Sequence, residues 1–205
     1  MPNWKTHIEI AKRINNKLRF TNNELEEFMI GNILADINNG FIVNNISSIH
    51  SHDYTHYEED NGISYINFYN KYKDKLKEPI VLGYYIHLYT DYLWNNNFYT
   101  KIKNNAKFNE YTAEQLKRMK HNDFKLYNNL FSNNTIFIYD IDNIVKKSKM
   151  INKISINSND INEVINFLNK KTVYKSNFKI YTIDELNYLM EDTINLIIKQ
   201  IEICL

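Results

Sequence analysis

The scarcity of turn-forming residues constrains the fold of this chain more than any other feature. Among its 205 residues there are only 4 glycines and 2 prolines. A sheet-rich domain of this size normally needs more residues that suit tight turns, so an all-α fold is favoured. With 43% hydrophobic residues, the chain is long enough to bury one sizeable core. We therefore expect a single helical domain over residues 1–205.

Capping patterns indicate where three helices begin. In each pattern a threonine precedes a glutamate or glutamine by three residues, so that the two side chains can satisfy backbone N–H groups at the helix start. The pairs are Thr21 with Glu24, Thr112 with Gln115, and Thr182 with Glu185. The first helix of this kind should end near Gly31 or shortly after, because residues 38–40 (Asn-Asn-Gly) are a turn signal, and Asp36 lies at its exit. The other two should run to about residues 131 and 203.

Hydrophobic spacing predicts further helices. Apolar residues at three- and four-residue steps define one face of a first helix, which turns His7 inward: Trp4, His7, Ile8, Ala11, Ile14 and Leu18. Helical period returns at residues 65–76, and another helix is expected over residues 159–169. Between residues 131 and 158 the period is weak, and residues 135–140 are either a short strand or an extended connector.

One predicted helix carries two possible metal ligands on its apolar face. Pro79 suits the first turn of a helix, and the helix of about residues 79–95 that follows presents His87 and Asp91 within an apolar stripe. Residues four apart on a helix can converge on one ion, and imidazole with carboxylate suits zinc, with nickel, iron or manganese as alternatives. The other interpretation is a buried His–Asp ion pair, which would still have to offset the desolvation of both groups.

Other histidines and carboxylates favour the metal interpretation. Five of the six histidines lie in the first half of the chain, near several aspartates: His7, His50, His52, His56 and His87, with Asp36, Asp53 and Asp91. Three of these histidines lie in a polar loop, where we expect one to face inward and the others to be solvated.

Composition does not identify a partner. Lys and Arg total 25 and Asp and Glu total 24, and this net charge of +1 gives no reason to expect nucleic-acid binding. No run of residues is long and apolar enough to span a bilayer, and the start of the chain lacks a secretory signal pattern. We therefore expect a cytoplasmic protein, and the single cysteine, Cys204, which cannot form an internal disulfide, fits a reducing compartment.

Four motifs occur in a familiar order: Trp-Lys-Thr-His at 4–7, Gly-Asn-Ile-Leu-Ala-Asp at 31–36, Thr-His-Tyr at 55–57 and Leu-Gly-Tyr-Tyr-Ile-His-Leu-Tyr-Thr-Asp at 82–91. Through them the chain resembles the bacterial zinc-dependent phospholipase C family, especially its small members without a signal peptide. It is more distantly similar to fungal single-strand-specific zinc nucleases. The resemblance covers about residues 3–98 and implies a helical bundle of the phospholipase C type. We expect a metal-site half of about residues 1–132, followed by a peripheral connector and C-terminal helices at about 133–205.

The resemblance also implies a ligand set. Asp36, His56, His87 and Asp91 match the positions of one zinc site of the family, while His7 and Trp4 resemble the N-terminal side of another site that shares Asp91. Two features depart from the family pattern. Trp4 is not the first residue, so the free amino group that completes one family site is absent unless residues 1–3 are removed. Asn97 stands about where a further histidine is expected, and no later H-x-x-x-E or H-x-x-x-D pattern follows. We therefore expect one zinc ion, with two as the alternative.

The expected function is hydrolysis of a phosphoester or phospholipid at this reduced zinc site, with Asp36 as the catalytic residue that orients or deprotonates the attacking water. Two alternatives remain open. The first is a non-catalytic helical protein in which the metal is structural. The second is an HD-type metal-dependent phosphohydrolase with His7, the His52-Asp53 doublet and Asp91 as ligands, which leaves Asp36, His56 and His87 unexplained.

Overall fold

Helices form all the regular secondary structure in the part of the chain that the computed structural model describes, residues 2–58 and 62–204. The all-α prediction is therefore confirmed. Nine α-helices lie in these residues: α1 (Trp4–Leu18), α2 (Asn22–Ile37), α3 (His52–Thr55), α4 (Ser64–Tyr72), α5 (Pro79–Lys103), α6 (Ala113–Tyr127), α7 (Ile141–Ser148), α8 (Ser158–Asn169) and α9 (Ile183–Cys204). Short 3₁₀ turns lie at Lys73–Lys75, Ala106–Phe108 and Asn128–Phe131.

The predicted capping pairs form as expected. Gln115 Oε1 accepts a hydrogen bond from the Thr112 N–H at 2.8 Å, and Thr112 Oγ1 accepts one from the Gln115 N–H at 3.2 Å. The same reciprocal pair joins Thr182 to Glu185 at the start of α9. These bonds satisfy N–H groups that a helix start would otherwise leave without partners.

Two predicted boundaries need correction. Helix α2 continues to Ile37, well past Gly31, so Asp36 lies in its last turn rather than at its exit. Helix α5 continues to Lys103. Residues 135–140 form an extended connector, one of the two predicted alternatives, and helix α7 follows it in a segment where the weak period allowed no prediction. An eight-residue helix contains too few turns to show a sustained period.

Two glycines allow α2 and α5 to pack backbone against backbone, in the most extensive helix contact of the described chain. A Cβ atom on Gly31 would lie 2.3 Å from the carbonyl oxygen of Ile80, and one on Gly83 would lie 2.3 Å from that of Phe28. These neighbours are backbone atoms and cannot move aside cheaply. The contact therefore fixes how α2 and α5 are aligned, and with it the positions of the side chains between them.

The remaining helices surround this pair. Helix α1 packs against α2 and α9, α4 packs against α5, and α7 contacts α2, α5 and α8. Buried apolar side chains from every helix except α3 belong to one hydrophobic cluster, which includes Trp4, Phe28, Tyr84 and Ile197. Within residues 2–58 and 62–204, no helix is both long and apolar enough to cross a bilayer.

We predict that Gly83→Ala destabilises the protein, although alanine is the better helix former. The added methyl group would clash with the backbone of α2, and such overpacking typically costs about 1–3 kcal/mol. Asn96→Ala at an exposed position of the same helix is the control, for which helix propensity predicts a gain of roughly 0.5 kcal/mol. Chemical denaturation measures both free energies of unfolding. An increase in stability for Gly83→Ala would contradict the proposed role of this contact.

Candidate metal centre

Four segments of the chain bring the five predicted ligands together. His7 comes from α1, Asp36 from the last turn of α2, His56 from the residue after α3, and His87 and Asp91 from successive turns of α5. Each of the five residues is at most 5% exposed. They form two overlapping groups of possible metal ligands that share His87.

The distances between donor atoms suit a small cation. His56 Nε2 lies 3.2 Å from His87 Nε2 and 3.6 Å from Asp91 Oδ2, and His87 Nε2 lies 3.3 Å from Asp91 Oδ2. Donor atoms bound to one tetrahedral zinc ion at about 2.0–2.1 Å are roughly 3.3 Å apart. This triangle of donors therefore has nearly the dimensions that a zinc site requires.

Two further ligand candidates flank the triangle. Asp36 Oδ1 lies 3.5 Å from His56 Nε2, and Asp36 Oδ2 lies 4.0 Å from His87 Nε2. The second candidate is His7, whose Nε2 lies 3.3 Å from Asp91 Oδ1. The His7 ring also stacks on the His87 ring, with centroids 4.3 Å apart. Asp36 thus lies next to the two histidines of the triangle, whereas His7 lies next to its aspartate.

Outer hydrogen bonds orient two of the ligand rings. His87 Nδ1 lies 2.8 Å from the carbonyl oxygen of Asn32, and His56 Nδ1 lies 3.1 Å from that of His52. Because a carbonyl oxygen only accepts, a neutral ring that donates from Nδ1 to this carbonyl has its Nε2 lone pair free to bind a metal. This is the arrangement that metal-ligating histidines usually have.

The Asp36 carboxylate is held from two sides. The Trp4 indole Nε1–H donates to its Oδ2 at 3.1 Å, and Asn39 Nδ2 donates to its Oδ1 at 3.0 Å. The side chain of Trp4, which the family resemblance associates with a metal site, therefore contacts the cluster through this carboxylate.

Buried negative charge dominates the electrostatics of the cluster. Burial lowers the pKa of His87, but the Asp91 and Asp36 carboxylates outweigh it and raise that pKa to about 9. Burial likewise opposes ionisation of Asp91, yet its neighbours, above all His87, hold its pKa well below the usual range. Burial and the positive charge of His87 lower the pKa of His7. The pocket thus stabilises the ionised form of Asp91 and favours positive charge at His87.

Several polar atoms here still lack good hydrogen bonds. Within the described residues, neither Asp91 carboxylate oxygen and neither His7 ring nitrogen has a partner of hydrogen-bonding geometry. Buried polar atoms without such partners are costly, and a coordinated cation would satisfy them. The donor chemistry, the spacing and the unsatisfied atoms therefore all fit a zinc ion.

Among the three loop histidines, His56 is the one that faces inward. His50 is only partly buried and contacts Ser48 Oγ, while His52 stacks on the His56 ring with centroids 3.7 Å apart. The Asp53 side chain is 70% exposed. With Glu58, the His52-Asp53 doublet forms a separate, largely exposed group of possible ligands. The HD-type alternative, which needs this doublet in the buried cluster, gains no support from the geometry.

A cavity of about 850 Å³ adjoins the cluster. Asp36 is the member of the cluster that lines it, together with residues such as Asn39, Phe98, Tyr99 and Lys120. Sequence reasoning missed Lys120, which is buried on α6. A signal was present, because Lys120 follows Leu116 by four residues and precedes Phe124 by four, on the apolar stripe of that helix.

A family model described as zinc dependent phospholipase C matches residues 6–203 of the chain. The chain belongs to this family. The match confirms the resemblance and extends it from the first 98 residues to the C-terminal helices. Comparisons with curated proteins and with solved structures found no significant match. The family is zinc-dependent, which agrees with the candidate cluster of histidines and aspartates.

We predict that His87→Ala and Asp91→Ala each remove bound zinc, because each takes a donor from the central triangle. Zinc present at about 1,000 times its dissociation constant would stabilise the native state by about 4 kcal/mol. For a protein of this size, chelation should then lower the wild-type melting temperature by roughly 8–16 °C. The two variants should show no such response to chelator.

Elemental analysis and thermal denaturation with and without chelator provide the measurements. His121→Ala, at an exposed residue that lines the cavity, serves as the control and should behave like the wild type. Unchanged zinc content in both His87→Ala and Asp91→Ala would refute this site.

A second prediction compares neighbouring histidines. His56→Ala should weaken zinc binding by more than about 100-fold, since even loss of an outer partner of a ligand costs 10–100-fold. His52→Ala should leave affinity within a few-fold of wild type, because the carbonyl that orients His56 remains. Competition with a fluorescent zinc chelator measures both affinities. The reverse order would favour the HD-type ligand set.

Proposed function

We propose that this protein is a zinc-dependent hydrolase of phosphoric esters, with a phosphodiester or phospholipid as its substrate. One observation carries the proposal: a buried cluster of three histidines and two aspartates adjoins a large cavity, in a chain of the zinc-dependent phospholipase C family. Family membership supports the reaction class. The cluster supports it further, because it contains histidine and aspartate side chains that can bind the zinc ion such a reaction needs.

The chain's own residues suit one zinc ion. Asp36, His56, His87 and Asp91 would hold it, and His7 would support the site through Asp91. When bound, zinc would supply Lewis acidity towards a phosphoryl oxygen and lower the pKa of a coordinated water towards neutrality. The burial of the ligands excludes bulk solvent, which strengthens electrostatic interactions with the reacting groups.

Asp36 has a further role in this proposal, as the general base. Its carboxylate lines the cavity and accepts hydrogen bonds from Trp4 and Asn39, which hold its orientation. From this position the carboxylate would orient the attacking water and accept its proton as the water oxygen attacks phosphorus. The P–O bond to the leaving group would break in this displacement, and the leaving oxygen would take a proton from the protonated Asp36 carboxyl or from solvent.

The cavity fits the proposed substrate class. Its volume of about 850 Å³ lies within the range of small-molecule sites, roughly 300–1,000 Å³. Phe98, Ile102 and Leu116 provide an apolar wall, while Asp36 and Lys120 provide charge. Such a cavity suits a substrate with a phosphate group and an apolar portion.

We expect Asp36→Asn to lower the hydrolysis rate by about 10²–10⁴-fold, the usual contribution of general acid–base catalysis. Zinc should remain bound, because His56, His87 and Asp91 are intact and the amide oxygen of the substituted side chain can replace the lost carboxylate oxygen as a ligand. Asp53→Asn is the matched control, since Asp53 is an exposed carboxylate that lines the same cavity. The rate of bis(4-nitrophenyl) phosphate hydrolysis and the zinc content should be measured on the same samples.

The outcome also separates catalysis from a structural metal. Full activity in Asp36→Asn would refute the role of this residue as the base. A zinc-bound wild-type protein that hydrolyses neither bis(4-nitrophenyl) phosphate nor phosphatidylcholine would favour the non-catalytic alternative, in which zinc only joins α1, the segment of residues 36–56 and α5.

A further inference from the structure

Lys120 is a buried lysine in an unusual environment. It is 6% exposed, its ammonium donates to Asn95 Oδ1 at 3.0 Å, and Nζ lies 4.6 Å from the centre of the Phe98 ring. Within residues 2–58 and 62–204, no carboxylate forms an ion pair with it. Buried ammonium groups are rare unless an opposite charge compensates them. The protein therefore maintains a positive charge that its described carboxylates do not directly neutralise.

The hydrogen bond to Asn95 holds this charge beside the candidate metal centre. Asn95 follows Asp91 by four residues on α5, so its side chain lies about one helical turn, roughly 6 Å, further along the same face. Lys120 and Asp36 also line the same cavity. Lys120 thus lines the space that the proposed base also lines, and it is not a member of the cluster itself.

The donor count of Lys120 leaves capacity for a ligand. An ammonium group has three N–H donors, and the contact with Asn95 uses one of them. A phosphate group offers several charged acceptor oxygens, and lysine is a common partner for it. Burial lowers the pKa of Lys120 and the nearby Asp91 carboxylate opposes this effect, so a second anionic group would favour the charged form.

We propose that Lys120 binds the phosphoryl group of the substrate, with its free N–H groups donating to non-bridging oxygens beside Asp36. This inference rests on the proposed function, and it identifies the residue that fixes the phosphate end of the substrate in the cavity. The phosphate would then lie between the zinc ligands on α5 and the ammonium from α6. The apolar remainder of the substrate would extend along Phe98.

Other cationic side chains of the cavity differ from Lys120 in exposure. Lys117 and Lys125 also line it, but both are exposed, so water and salt screen their charges. Acidic residues of the cavity, including Glu114, further offset them. Lys117 lies one turn before Lys120 on α6, which makes it a matched control for loss of one positive charge.

The test uses zinc-loaded protein with inorganic phosphate as the probe. Calorimetry should show phosphate binding at least roughly 10-fold weaker for Lys120→Met, the loss expected when a charge-assisted contact is removed. Lys117→Met should stay within about twofold of wild type, and Lys120→Arg should recover most of the affinity because it restores the charge. Lys120→Gln provides the same measurement if the methionine variant does not fold. Zinc content should be unchanged in all of them.

Kinetics on bis(4-nitrophenyl) phosphate give a second readout. Lys120→Met should raise KM and lower kcat/KM, whereas Lys117→Met should change neither by more than about twofold. Equal phosphate affinity in wild type and Lys120→Met, or an equal loss in Lys117→Met, would overturn the role of Lys120 while zinc binding and hydrolysis persist. A wild-type protein without zinc or without hydrolysis would instead refute the proposed function.

Discussion

The candidate site depends on the close contact between α2 and α5. Gly31 and Gly83 let the two backbones approach until a single methyl group would overlap a carbonyl oxygen. At this separation the Asn32 carbonyl oxygen accepts a hydrogen bond from His87 Nδ1, which turns His87 Nε2 towards the cluster. One further turn along α5 lies Asp91, and one further turn along α2 lies Asp36. A shift of either helix would therefore disturb three candidate ligands together.

Because Asp36 and Asp91 are buried, the site needs a positive charge close to them. Asp36 and Asp91 are each at most 5% exposed, and their charges cannot be solvated there as they would be in water. In the absence of an ion, the shifted pKa of His87 shows where positive charge is most favoured. A divalent cation at the same place would compensate both carboxylates and use the histidine lone pairs. Folding and metal binding are consequently expected to be coupled.

Sequence patterns predicted the parts of this arrangement that regular helices control. His7, His87 and Asp91 follow from helical period, since each lies on an apolar stripe of a long helix. The inward position of His56 could not be read in this way, because α3 has only four residues and shows no period. Here the family motif, and not the local pattern, identified the residue. Gly31 led to a predicted end of α2 that was too early, because glycine is common just after helix ends. Here it lies within the helix and allows the close contact with α5.

Lys120 shows why the cavity was harder to predict than the cluster. Lysine is almost always solvated, so the position of Lys120 on the apolar stripe of α6 was by itself only a weak signal of burial. Its burial arises from tertiary contacts: the Lys120 side chain on α6 donates a hydrogen bond to Asn95 and packs over the ring of Phe98, both on α5. The consequence is a cavity in which the α6 wall provides a buried ammonium group and the α2 wall provides the Asp36 carboxylate. A phosphoester bound between these walls would have its charge matched by the ammonium, and its phosphorus would face the proposed base.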